Sequence, residues 1–326
     1  MRGLRALGRI FVLRPIRALL EDAKGYGLME GNVIKIAEEP TEIPWQEASR
    51  DIWDSKYRLK DATGKPVDAD LQATYERVAM ALAAVETDEK QQHHWFGRFL
   101  WALENGAIPA GRITSNAGAL EHKPATSTIN CTVSATVGDS MDEILAKVHE
   151  AGLTLKAGCG IGYDFSTLRP RNAFVNGAGA NTSGPLSFMD IYDSMCRTVA
   201  SAGGRRGAQM ATFDISHPDV LEFIKVKRED GRLRQFNLSL LITDEFVEAV
   251  KQDADWPLCF PLTEKERERD GLDLKDSTQV LWKDWPVKDD YIQNEVGQVA
   301  CRIYRTIRAK QLWNVIMAST YDFAEP

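Results

Sequence analysis

Apolar residues recur every three or four positions between Asp70 and Asn105. Tyr75, Val78 and Leu82 form one stripe, and Trp95, Phe99 and Leu103 form the next. This spacing predicts helices, with Thr87-Asp88 dividing the stretch in two and Asn105-Gly106 stopping it. Ser127 to Ala135 is rich in Thr, Val and Ile and predicts a strand. Ser140 and Glu143 form a capping-box pattern ahead of Met141, Ile144, Leu145, Val148 and Leu155, in a helix that Lys156 and Gly158 should end. A long glycine-rich loop is expected over 158–184. Pro185 then opens a helix whose stripe is Phe188, Ile191, Tyr192, Met195 and Val199. Met210 to Ile215 predicts a strand. Ser216 is the expected cap of a helix with Pro218 in its first turn. Phe236 to Ile242 predicts a buried strand, and Thr243 caps a helix containing Phe246, Val247 and Val250.

The middle of the chain thus alternates strand and helix, the pattern of a parallel sheet or barrel built from crossover units. Residues 251–300 break it. They are charged, with Trp256, Trp282 and Trp285 scattered among acids and lysines, and predict an insertion or surface excursion. Ile303 to Phe323 reads as helix. Residues 1–45 read as an irregular extension broken by Pro40 and Pro44, and no repeat is visible.

Composition narrows the function classes. The 326 residues are 44% hydrophobic and 27% charged, so a sizeable core can form. A net charge of −7 argues against a general nucleic-acid binder, though not against small anions held by a few arginines. No apolar run approaches the ~18 residues of a membrane helix. The five cysteines, Cys131, Cys159, Cys196, Cys259 and Cys301, are scattered and lack a Cys-x-x-Cys pair. That disfavours a zinc knuckle and suits a reducing cytoplasm. His93 and His94 point ~100° apart on a helix, so they read as surface or core residues, and no metal site is expected. The basic start, Arg2, Arg5, Arg9, Arg14 and Arg17, mimics a transit peptide; an upstream start codon or a basic surface helix are the other readings.

Three glycine-rich stretches could cradle phosphates: 156–162, 176–184 and 203–207. Glycine lets backbone N–H groups approach an anion, yet none matches a Walker loop or a dinucleotide fingerprint. Alone, each is more often a tight connection than a ligand site. Arg169, Arg171, Arg205 and Arg206 lie beside them, and guanidinium forks match phosphate geometry. A nucleotide site and a salt-bridged surface loop both fit. Cys131, in an apparent core strand, reads on pattern alone as a small hydrophobe, as does Cys196; Cys159, flanked by glycines, could be accessible.

The ordered motifs go further. Ile113-Thr114-Ser115-Asn116-Ala117-Gly118, Ser127-Thr128-Ile129-Asn130-Cys131, Gly138-Asp139-Ser140, Leu168-Arg169-Pro170, Gly204-Arg205-Arg206-Gly207-Ala208-Gln209-Met210, His217-Pro218-Asp219-Val220 and Asn237-Leu238-Ser239 resemble, in order, the large chain of ribonucleotide reductases. Asp51-Ile52-Trp53-x-x-Lys56-Tyr57-Arg58 resembles the start of the adenosylcobalamin-dependent group. The resemblance covers roughly residues 45–326.

That resemblance implies an α/β fold: a helical domain (46–125), then the first half of a ten-stranded α/β barrel (126–326). It implies reduction of a ribonucleotide to its 2′-deoxy form by a thiyl-radical mechanism, with Cys131 as one of two reducing thiols. Ser115, Asn116, Ala117, Gly118, Asn130 and Gly160 would bind substrate. Asp139, Ser140, Met141, Arg169 and Arg171 would bind a deoxynucleoside triphosphate effector. Arg205, Arg206, Gly207, Ala208 and Gln209 would form the loop coupling effector to substrate choice. Adenosylcobalamin is the implied cofactor, and a thioredoxin-like protein the implied dithiol reductant. The helices at 140–156 and 186–200 would pack in a homodimer interface. Members with a separate di-metal subunit, and a nucleotide-binding fragment without chemistry, are the alternatives. The family's Asn-x-Cys-x-Glu radical signature does not occur in the 326 residues. The expectation is therefore a truncated chain, inactive alone, with an open sheet edge and poor solubility unless a second chain supplies the rest.

Overall fold

The computed structural model describes residues 45–326 except 124–126, 176–178, 200–206, 229–231, 289 and 326. The expectations for the N-terminal extension and its basic start lie outside these residues, as do Arg205 and Arg206. Among the described residues no helix is long and apolar enough to cross a membrane.

The first part is helical. Helix α1 (Glu47–Ile52) runs into a π-helical turn, and α2 (Leu71–Ala83), α3 (Glu89–Glu104) and α4 (Gly111–Asn116) follow. Asp70 and Asp88 cap α2 and α3 by accepting from the N–H groups of Ala73 and Lys90, so the break at Thr87-Asp88 is real. Val78, Ala79, Leu103 and Ala117 form the core of this part, while His93 and His94 are exposed. Buried Asp68 ties it together. The Arg77 guanidinium grips both its oxygens at 2.8–2.9 Å, and Leu59 N–H and the Thr74 hydroxyl also donate to it. Burial pushes the Asp68 carboxyl up, but these donors outweigh it and hold the group below the ordinary range. Arg77 also donates to the Thr114 and Ala117 carbonyls, fixing the segment that leads away from α4.

The second part holds a four-stranded, all-parallel sheet in the order β1 (Cys131–Val133), β2 (Gly160–Asp164), β5 (Gln209–Asp214), β6 (Phe236–Leu241). Helices α5 (Met141–Lys156), α6 (Pro185–Thr198) and α7 (Val220–Lys225) lie between successive strands, with a small hairpin, β3 (Phe174–Val175) and β4 (Ala180–Asn181), ahead of α6. One face of the sheet is packed: Ile161, Tyr163, Phe165, Ala211, Phe213, Phe236 and Leu238 are buried with Ile144, Leu155, Met189 and Tyr192 of the helices. Each such large side chain contributes about 1.5–3 kcal/mol of burial. Helix α8 (Asp244–Gln252), capped by Thr243 as expected, leads out of the sheet. No closed barrel forms among the described residues; β1 and β6 are edges.

Several sequence expectations are corrected. The strand at 127–135 shrinks to Cys131–Val133. The loop at 158–184 contains β2 and the β3–β4 hairpin. Ser216 does not cap a helix: α7 starts at Val220 after Asp219. The largest correction is the supposed surface excursion. Strands β7 (Asp255–Pro261), β8 (Val280–Lys283) and β9 (Val299–Arg308) form an antiparallel sheet in the order β7-β9-β8, with helix α9 (Glu264–Asp270) between β7 and β8. Leu258, Phe260, Trp285, Val299, Ala300 and Cys301 are buried there. Most of the charges occupy α9 and the turns, and they hid short strands with apolar inner faces. Helix α10 (Ala309–Phe323) therefore begins six residues later than its stripe suggested, since Ile303 to Arg308 belongs to β9.

Candidate functional site

Strand β2 reads Gly160-Ile161-Gly162-Tyr163, and side chains alternate across a strand. Its large apolar side chains, Ile161 and Tyr163, therefore point to the packed face. The opposite face is bare at Gly160 and Gly162. Register places Cys131 beside Gly160, Val133 and Met210 beside Gly162, and Asn237 beside Met210. A Cβ added at Gly160 would stand 3.3 Å from the Cys131 sulfur. Cys131, Val133, Met210 and Asn237 are all exposed, and Asn130 Nδ2 lies 3.4 Å from the thiol. Cys131 is thus no buried hydrophobe. It is a solvent-facing thiol on a floor that two glycines keep open.

The glycines at 158–162 do not cradle an anion. Their N–H groups are committed: Gly158 to Leu155 O, Cys159 to Thr154 O, Gly160 to Asn130 O and Ile161 to Ala208 O. Behind the floor, buried Arg112 of α4 packs so close to Gly158 that a Cβ there would meet its guanidinium at 2.3 Å. Burial raises the Cys159 thiol pKa, nearby Cys131 adds to this, and Arg112 opposes it. Cys159 is buried, against the expectation that it could be accessible.

The expected substrate residues divide. Asn130 and Gly160 meet Cys131 directly. Asn116 is buried and donates to Ser127 O at 2.9 Å, at the approach to β1. Ser115 bonds back to Gly111 O within its own helix. Ala117 and Gly118 sit against Arg77 instead, Gly118 in the left-handed region at φ 70°. Gly207 abuts the Cys196 sulfur, Ala208 is exposed, and Gln209 turns away from the open face. Gln209 is buried, accepting from Tyr163 O–H and donating to Tyr192 O.

A second cavity, about 790 Å³, opens beside the start of α5. Asp139, Ser140, Met141 and Arg169 line it, so four of the five expected effector residues converge. The fifth does not. Arg171 faces away, its N–H donating to Asp219 and its guanidinium pairing with Glu222. Asp139 is also not free. Arg169 Nε reaches its carboxylate at 2.6 Å and Arg169 N–H at 3.2 Å. Burial outweighs that pairing and raises the Asp139 pKa. The capping box is half formed: Ser140 Oγ accepts from Glu143 N–H, but the Glu143 carboxylate takes the Ser140 hydroxyl. The opposite wall, unseen in the sequence, is Phe260, Pro261, Thr263, Glu266, Val287 and Tyr291. Thr263 and Glu266 make a complete capping box on α9, a pattern the sequence does display. Carboxylates outnumber cations around the cavity, so a polyphosphate would enter best with a divalent cation.

Residues 129–326 match the family model described as ribonucleotide reductase, barrel domain, and residues 46–121 match ribonucleotide reductase, all-alpha domain. The chain belongs to the ribonucleotide reductase family. It is 32% identical over 268 residues to a vitamin B12-dependent ribonucleoside-diphosphate reductase of Mycobacterium tuberculosis, covering 81% of this chain and 36% of that one. A Thermoplasma acidophilum protein of the same name is 37% identical over 134 residues, 41% of this chain and 17% of that one. A ribonucleoside-diphosphate reductase subunit alpha of Helicobacter pylori is 28% identical over 275 residues, 83% and 32%. The chain thus spans about a third of the length of the curated relatives that it matches over most of its own. The helical part followed by a parallel α/β sheet agrees with the family's two matched domains.

Proposed function

We propose that this chain provides the substrate floor and the effector pocket of an adenosylcobalamin-dependent ribonucleotide reductase, with Cys131 as one of its two reducing thiols. The observation that carries the reading is an exposed thiol on a glycine-floored face of a parallel sheet, in a chain of this family. In the overall reaction the ribose 2′-hydroxyl leaves as water, hydrogen takes its place, and two thiols supply the electrons by becoming a disulfide. Cys131 needs to be exposed for both halves of that cycle, facing the ribose first and an external dithiol, such as a thioredoxin-like protein, afterwards. When bound, adenosylcobalamin supplies the radical chemistry. The open face beside Cys131 leaves room for a large group, but we assign no contact of this chain to the cofactor. The partner thiol would come from the part of the barrel not included in these 326 residues, and the outer faces of α5 and α6, with Met141, Leu145, Leu153 and Ile191 exposed, would meet their copies in a homodimer. Arg206 would couple effector to substrate choice.

The similarity to the Helicobacter pylori subunit alpha keeps a second reading, a chain served by a separate di-metal subunit. One experiment addresses both. The chain is combined with a polypeptide carrying the remaining barrel strands and given ribonucleoside diphosphate, dithiol and either adenosylcobalamin or a di-metal subunit. Turnover with the cobalamin, lost in Cys131→Ser while nucleotide binding persists, is expected. Turnover only with the di-metal subunit supports the second reading, and full turnover by Cys131→Ser refutes the role of the thiol.

A further inference from the structure

The reading above uses one thiol, yet the sheet read from sequence as a surface excursion buries two more. Cys259 on β7 is 2% exposed and Cys301 on β9 is 0% exposed. Register pairs Cys259 with Ile303 and Cys301 with Pro261. The two cysteines are therefore diagonal neighbours on one face of adjacent strands, near enough for each thiol to shift the other's proton affinity. Lys283 stands on the same face, because β8 pairs Lys283 with Val299 and Leu281 with Cys301. Its ammonium binds both oxygens of Asp214 and the Ser216 hydroxyl at 2.9–3.3 Å. Two neighbouring thiols beside a half-buried cation are not what plain packing requires, since any small apolar pair would fill the same space.

We infer that Cys259 and Cys301 form an oxidisable dithiol, closed to a disulfide by peroxide and reopened by a dithiol reductant. The first thiol loses its proton and attacks one peroxide oxygen. The O–O bond breaks, and the products are a sulfenic acid and water. The second thiol then displaces the sulfenic hydroxyl as a second water. Two thiols are oxidised by two electrons, and one peroxide is reduced to two waters. The neighbouring Cys301 thiol and the Lys283 ammonium favour a thiolate at Cys259, against its burial and the Asp214 carboxylate.

The geometry also sets the character of the bond. A disulfide needs Cβ atoms about 3.5–4.5 Å apart, whereas diagonal cross-strand neighbours stand roughly 7–8 Å apart, Cβ atoms somewhat less. Strand β7 must shift toward β9, and the register irregularity between Leu258 and Cys259 is where it can give. A bond formed under such strain is readily reduced. Strand β7 also carries Phe260 and Pro261 in the wall of the 790 Å³ cavity, so the oxidised form would move that wall.

The test is peptide mapping of the folded chain after peroxide, with free thiols alkylated and digestion done without reductant. The expected product is a disulfide joining the tryptic peptides 252–265 and 289–302. It should vanish with dithiothreitol and be absent from both Cys259→Ser and Cys301→Ser. The wild-type result stands without the variants, should either fail to fold. Two free thiols after peroxide treatment that fully oxidises Cys131 would overturn the inference. So would linkage of either cysteine to Cys131, or a Cys259–Cys301 bond that forms only in urea.

Discussion

His217 is fully buried in the parallel half of the fold, and its bonds specify one protonation state. Its Nε2 donates to Leu168 O at 2.9 Å, while Nδ1 accepts from Asp219 N–H at 3.0 Å. Phe213 lies 4.4 Å from its ring and Phe260 5.5 Å. A second proton would have to go on Nδ1, pointing at an N–H that already donates there. Burial lowers the His217 pKa from 6.5 to about 4; the Leu168 bond and Asp214 oppose the fall and Lys283 adds to it. Above pH 6.5 the ring is neutral folded or unfolded, so stability is unaffected. Between 6.5 and 4 the unfolded chain takes up a proton that the folded chain refuses, and stability falls as pH falls. The full shift corresponds to about 3 kcal/mol, and most of it should be lost by about pH 4.5. The assay is urea unfolding at pH 7.5, 5.5 and 4.5 for the wild type and His217→Gln. Other titrating groups are common to both, so the difference isolates this ring. The variant should start less stable and lose less on acidification, closing the gap by about 2–3 kcal/mol. Parallel pH profiles would refute the argument, as would a His217 ring resonance that titrates near pH 6.5 in the folded chain.

Gly158 sits at φ 79° with a guanidinium where a Cβ would go. Gly158→Ala should therefore cost about 2 kcal/mol or more in urea unfolding, from left-handed strain plus displacement of buried Arg112; a loss under about 0.5 kcal/mol would contradict that packing. Cys131 alone among the five thiols is exposed, so iodoacetamide should modify it well before the others in the folded chain, as peptide mapping would reveal; equal rates would place it in the core.

The sequence was most legible where one local rule acts alone. Asp88, Thr243 and Pro185 marked helix starts because a cap or a fixed φ needs no tertiary partner. It was least legible where exposure depends on what the opposite strand carries. Cys131 reads as a core residue in a run of Thr, Ile and Val; only pairing with Gly160 shows its face to be open. Strand β9 reads as helix because Ile303 and Ile307, four positions apart, suit a helical stripe, and nothing local announces that β7 and β8 flank it. The convergence of Asp139 with Arg169, thirty positions apart, came from the resemblance and not from spacing. The same resemblance placed Arg171 with them, where Asp219 and Glu222 hold it elsewhere.

The glycines of β2 connect these points. Glycine in a strand weakens it by about 0.5–1 kcal/mol relative to alanine, and two occur in five residues of β2. The compensation lies on the other face, where Ile161 and Tyr163 are buried and the Tyr163 hydroxyl donates to Gln209. The Tyr163 ring also packs edge-on against Tyr192 at 5.0 Å. A strand built for stability alone would fill both faces. This one concentrates its packing on one side and leaves the other bare at Gly160 and Gly162, next to an exposed thiol, the arrangement needed if a sugar ring is to lie flat against the sheet and bring its edge to sulfur. The packed face keeps β2 in place, and the bare face keeps Cys131 reachable.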